Sequence, residues 1–152
     1  VTFEQVIGSK ADAAIYDPTT STASILARAK GISTAVNNPT ITSATFAYAD
    51  IAGEQTIFTL SPAAGQVWNV FYMEFDIDAL TQNAMLRIDK RIDGATFRTL
   101  SEYTILSGSE AHFVSEHFAV DNTSQLRVII ERFAAEGAAR SVPYRVYYHR
   151  LV

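Results

Sequence analysis

The chain contains no cysteine. That removes disulfides, thiolate zinc sites, iron–sulfur clusters and thiol nucleophiles together, and leaves the redox compartment open. Lysine is scarce as well, at Lys10, Lys30 and Lys90 only. Charged residues make up 18% of the sequence, with twelve Lys and Arg scattered through it and a formal net charge of −4. Polyanion binding needs clustered cations that release counterions, so no nucleic-acid partner is expected. No apolar run approaches the roughly 20 residues of a membrane-spanning helix. The opening VTFEQVIGSK also lacks the apolar centre of a signal peptide. No membrane partner is expected. Gly-x-Gly-x-x-Gly, P-loop, His-Glu-x-x-His and Gly-x-Ser-x-Gly motifs are all missing. The expectation is a protein with no cofactor and no catalytic residues.

What is present is a chain of 152 residues, 48% apolar and rich in Thr and Ser, long enough for one substantial core. Its character changes near residue 40. Before that point TTSTASILARAKGIST (19–34) reads as a short helix. Ser21 or Thr22 can cap its start, and Gly31 suits the left-handed position after its end. Ile25, Leu26, Ala29 and Ile32 form an apolar stripe at helical spacing. A helix this short is marginal in water and needs a surface to lean on. Residues 1–39 are therefore expected to be an extended arm plus helix acting as an assembly segment.

Residues 40–152 read as eight strands, near 40–48, 55–61, 66–78, 84–92, 96–106, 111–120, 124–134 and 142–152. Short strands with polar turns at regular spacing point to an antiparallel β-sandwich of jelly-roll type, with an open barrel as the alternative. In the third strand, period-2 alternation groups Phe71, Met73, Phe75 and Ile77 on a core face. It sends Trp68, Val70, Tyr72, Glu74, Asp76 and Asp78 to the other side. In the seventh, Leu126, Val128 and Ile130 point inward.

RIDKRIDGATFRTL (87–100) gathers the most charge. Asp93-Gly94 between β-type runs signals a two-residue hairpin turn, which would set Asp89 opposite Arg98 and Ile92 on the core face. A wet hairpin face suits it better than an acid/base site. Glu74, Asp76 and Asp78 could attract a hard cation only with help from other strands, since same-face neighbours lie about 6.6 Å apart. His112 and His117, five apart, fall on opposite faces and cannot share one metal without a bulge; His112 shares its face with Glu116.

Trp68, Val70 and Tyr72 would together leave a large apolar patch on the outer face. Three readings compete for it: a covering helix or loop, a contact between subunits, or a platform for a glycan.

Two segments carry a resemblance. VIGSKADAAIYDPTTSTASILARAKGI (6–32) resembles a stretch found in structural proteins of tailed phages and related viruses. There, Gly-x-x-x-Asp-Ala-Ala runs into Thr/Ser-rich sequence and a short helix ending in Lys-Gly. RIDGATFRTLSEYT (91–104) is similar to the Asp-Gly-x-x-[Tyr/Phe]-Arg hairpins of small virion β-sandwich modules. The resemblance implies a capsid-decoration, tail or fibre-type protein of the virion, a homo-oligomer and often a homotrimer. Its partners would be its own copies and other virion proteins such as a major capsid or tail protein. The functional expectation is a self-associating virion component that assembles through its N-terminal arm. The alternative is a carbohydrate- or receptor-binding module.

Overall fold

The computed structural model describes residues 38–151. The arm, the helix of 19–34 and its stripe Ile25, Leu26, Ala29 and Ile32 lie outside the described residues. Within Thr40–Val152, one of the two units into which the chain divides, the fold is all antiparallel β. Nine strands follow in order: β1 (Thr40–Tyr48), β2 (Glu54–Leu60), β3 (Trp68–Asp76), β4 (Ala84–Arg91), β5 (Phe97–Ile105), β6 (Ala111–Val114), β7 (Phe118–Val120), β8 (Leu126–Arg132) and β9 (Arg140–Arg150). The count exceeds the expected eight because the sixth segment is interrupted at residues 115–117, giving β6 and β7 on the same side of β3.

One sheet runs β1-β9-β3-β6 with β7 also on β3; the other runs β2-β8-β4-β5. Both contribute to one apolar core. Val70, Met73, Phe75, Val142, Val146 and Tyr148 come from the first sheet, and Leu86, Ile88, Leu126, Val128 and Ile130 from the second. The Phe58 ring of β2 lies 4.8 Å from Tyr144 and 6.4 Å from Phe75, centroid to centroid, so the two inner faces interleave as a sandwich. The alternation read in Leu126, Val128 and Ile130 matches their complete burial.

The third strand departs from strict alternation. Val70 pairs with Tyr148 of β9, but Tyr147 pairs with Tyr72, leaving Phe71 as an extra residue. A bulge of this kind reverses side-chain parity along the strand. Trp68 and Val70 therefore join Met73 and Phe75 on the inner face, and Val70 is 0% exposed. This corrects the outward placing of Trp68 and Val70 and the inward placing of Phe71.

The 87–100 hairpin also shifts by a residue. Arg91 pairs with Phe97, Lys90 with Arg98 and Asp89 with Thr99, so residues 92–96 make a five-residue loop. A tight type I′ turn would need positive φ at both central residues, yet only Gly94 has it, at 76°. Asp93 instead accepts hydrogen bonds from the Ala95 and Thr96 amides at 3.0 and 2.8 Å, closing the loop with its own side chain. Ile92, expected in the core, is 67% exposed at the loop.

Candidate interaction face

The outer face of the β1-β9-β3-β6 sheet carries a set of aromatic side chains turned away from the core. Registers place them side by side: Ile41 of β1 faces Tyr147 of β9, and Tyr147 faces Tyr72 of β3. The Tyr72 ring then stacks on Phe113 of β6 at 6.2 Å and 8°, and meets Tyr147 at 5.5 Å. Phe71, displaced outward by the bulge, stacks on His149 at 4.9 Å and lies 6.4 Å from His117. Ile41 and Phe113 at the two flanks are 54% and 57% exposed. Strand alternation places Tyr72 on this face but not Phe71, because the bulge that redirects Phe71 leaves no mark in the residue pattern.

A polar margin borders the rings. Tyr147 donates its hydroxyl to Glu74 Oε2 at 3.2 Å, and Arg145 approaches the same carboxylate at 3.9 Å. Beyond it lies an open hollow of about 710 Å³ lined by Glu74, Asp76, Asp78, Glu110, Arg145 and neighbours. Glu74, Asp76 and Asp78 all line this hollow. Among the described residues, no group of three His, Asp or Glu side chains is arranged to hold a metal ion.

Trp68 has a different role from the one its sequence position suggested. Its ring packs against the core and stacks on Tyr148 at 4.5 Å, with the Arg150 guanidinium 5.7 Å from the ring centre. It offers no open stacking platform.

The remaining ionisable clusters bind the fold to itself. Asp89, 2% exposed, accepts from Arg127 Nη2 at 2.7 Å, Arg87 Nε at 2.9 Å and Thr99 Oγ1 at 3.1 Å. Burial pushes its carboxyl up, but the bonds from Arg127, Arg87 and Thr99 prevail and hold it below the ordinary range. Arg87 also pairs with Glu54, and Arg127 lies 4.1 Å from the Phe97 ring centre. Arg98, the expected partner of Asp89, is exposed opposite Lys90.

Glu136 is buried and accepts from the Thr81 amide and hydroxyl, the Gln82 amide and Arg140 Nε. It ties the loop before β9 to the loop before β4. At one open side, Glu116 accepts from the Ser101 and Tyr103 hydroxyls of β5, clasping the two sheets. His112 meets the Tyr103 ring at 5.0 Å, and burial lowers its pKa. His112 and Glu116 thus come together around Tyr103, while His117 lies on the opposite, outer face, as the five-residue spacing implied.

No protein-family model and no curated protein matches this chain. Among solved structures it is weakly similar to the disulfide-linked pili of Bacillus endospore appendages, at 14% identity and a TM-score of 0.40, over 76% of this chain and 93% of that one. The mitogen of Yersinia pseudotuberculosis is similar at 8% identity and a TM-score of 0.36, over 73% and 86%. The subviral particle of infectious bursal disease virus is similar at 11% identity and a TM-score of 0.30, over 76% of this chain but 38% of that chain's length.

Proposed function

We propose that this chain is a structural, self-associating β-sandwich that builds or decorates a virion or a related extracellular particle or filament. One observation carries the reading: a run of rings and apolar side chains, Ile41, Tyr147, Tyr72 and Phe113, crosses four strands, half-buried at Tyr147 and Tyr72 and more than half exposed at the two flanks. Interface centres favour Tyr, Phe and other aromatics, and apolar surface of this kind is costly to leave wet. The acidic margin around Glu74 gives the face a polar rim. The resemblance of residues 6–32 and 91–104 to virion modules supports the same class, with the N-terminal arm as a further assembly element and copies of this chain or another virion protein as partners. No reaction is assigned to it.

The test is the assembly state of the full chain carrying Tyr72→Asp and Phe113→Asp together. Both side chains lie outside the core, so the variant should retain its thermal transition while its sedimentation coefficient falls to that of a smaller species. An unchanged coefficient would count against the face. A glycan-binding module would have to use Tyr72 and Phe113, since Trp68 is packed away. It predicts glycan-array binding lost in this variant with assembly intact, the reverse of the proposal.

A further inference from the structure

The described sandwich has four strand edges, and three of them are blunted. β2 carries a bulge at Ile57, where its register on β8 shifts between Thr56 and Phe58, and it begins with Glu54. β5 bulges at Leu100 and presents Arg98 and Glu102. The β6–β7 edge is broken by residues 115–117 into pieces of four and three residues. Bulges, charges and short strands are the devices that stop edges from pairing with other chains.

β1 has none of these devices. Its nine residues, TITSATFAY, contain no charge, no Pro and no Gly, and all nine pair with β9 in unbroken register. No described strand pairs with its other side. Ile41, Thr42, Ser43, Ala44 and Thr45 are all exposed, including Thr42 and Ala44, whose parity turns them toward the inner side. Its first half therefore overhangs the core with both faces exposed, while Phe46 and Tyr48 pack into the core, and one row of its backbone groups meets no described strand.

We infer that β1 is a pairing edge whose occupant is β1 of a second copy, joined antiparallel about a two-fold axis into one continuous sheet. This rests on the self-association proposed above and adds a second contact, at the strand edge, to the aromatic face. Elimination selects the occupant, because a neighbouring copy offers no other described edge that is open. Charge agrees, since an uncharged strand meets itself without repulsion in any register. Its small Thr, Ser and Ala side chains also suit close cross-strand pairing. The pairing would set the two aromatic faces side by side on one surface.

A two-fold axis normal to the sheet keeps outer residues opposite outer residues, so one residue of β1 must face its own copy. The next residue along is then two positions from its copy. That is about 6.6 Å along the strand and roughly 8 Å between Cα atoms once the gap across the ladder is included, beyond disulfide reach. The absence of native cysteine makes this directly readable in the full chain. Single Thr42→Cys, Ser43→Cys, Ala44→Cys and Thr45→Cys variants, oxidised mildly, should give one position that forms covalent dimer at least five-fold more than its neighbours, with Leu100→Cys on the β5 edge forming none. Ser43→Lys should cut the assembly mass at least two-fold with an unchanged thermal transition, and Leu100→Lys should leave the mass unaltered. If the wild type assembles but no β1 cysteine cross-links, or all four do so equally, the β1 pairing is wrong and self-association stands. Protection, in a monomeric sample, of the β1 amides that point away from β9 would also overturn it. A wild type that stays monomeric at all concentrations overturns both.

Discussion

Replacing Asp89 with alanine should destabilise the sandwich by about 3 kcal/mol. The carboxylate is buried and serves two guanidiniums and a hydroxyl. Breaking a buried ion pair from one side costs about 3–5 kcal/mol, because the partner charge is left uncompensated. Here the lower figure applies. Arg87 keeps Glu54, and Arg127 keeps the Phe97 ring, so neither cation is wholly abandoned. For a chain of this size about 3 kcal/mol corresponds to a fall in Tm of roughly 6–12 °C. Urea unfolding followed by tryptophan fluorescence, with a thermal scan beside it, measures both. The pH dependence has a definite sign. The folded Asp89 carboxyl lies below its unfolded value, so as pH falls the unfolded chain takes up the proton first. The stability Asp89 contributes is complete above the unfolded value of about 3.9 and is lost as pH drops through the lower folded one. Arg98→Ala serves as the control and should change stability by no more than about 0.5 kcal/mol, since Arg98 is exposed. A loss below about 1 kcal/mol for Asp89→Ala, or an equal loss for Arg98→Ala, would refute the assignment of partners.

Tyr48 is fully buried and its hydroxyl meets no hydrogen-bond partner among the described residues, so Tyr48→Phe should be neutral or stabilising by up to about 1 kcal/mol in urea melts near neutral pH. Burial, with Glu136 nearby, pushes the Tyr48 phenol up to about 12, so wild-type stability should fall as pH rises from about 10 toward that value, and the Phe variant should lose this component. Val70→Asp should prevent folding whereas Tyr72→Asp should leave the far-ultraviolet spectrum and thermal transition intact; equal tolerance at both sites would deny the Phe71 bulge. Glu136→Ala strips acceptors from the Thr81 and Gln82 amides, and should cost about 3 kcal/mol and speed hydrogen exchange at those two amides ahead of the β8 core.

The parts of this fold that could be read from sequence are those governed by local alternation. Leu126, Val128 and Ile130 declared the inner face of β8, and Asp93-Gly94 marked a reversal of the chain. What could not be read depended on partners far along the chain. The hairpin loop took five residues because Asp93 caps the Ala95 and Thr96 amides and stays out of positive φ. Asp89 then met Arg127, 38 residues away, on the neighbouring strand. Phe71 bulges where β3 must match β9, and nothing in the sequence NVFYM marks that site. The break between β6 and β7 has neither Gly nor Pro to announce it. The interaction face was half legible for the same reason. Tyr72 was placed correctly, while Trp68 and Val70 were assigned outward by an alternation that the bulge reverses.

Copies of this chain are proposed to associate through the outer face of the β1-β9-β3-β6 sheet. Multi-angle light scattering on the full-length protein across a hundred-fold range of concentration tests it most directly. The mass should lie well above the 16.7 kDa of one chain, fall on dilution, and be reduced by Tyr72→Asp with Phe113→Asp. A mass of one chain at every concentration, unaltered by those substitutions, would contradict it.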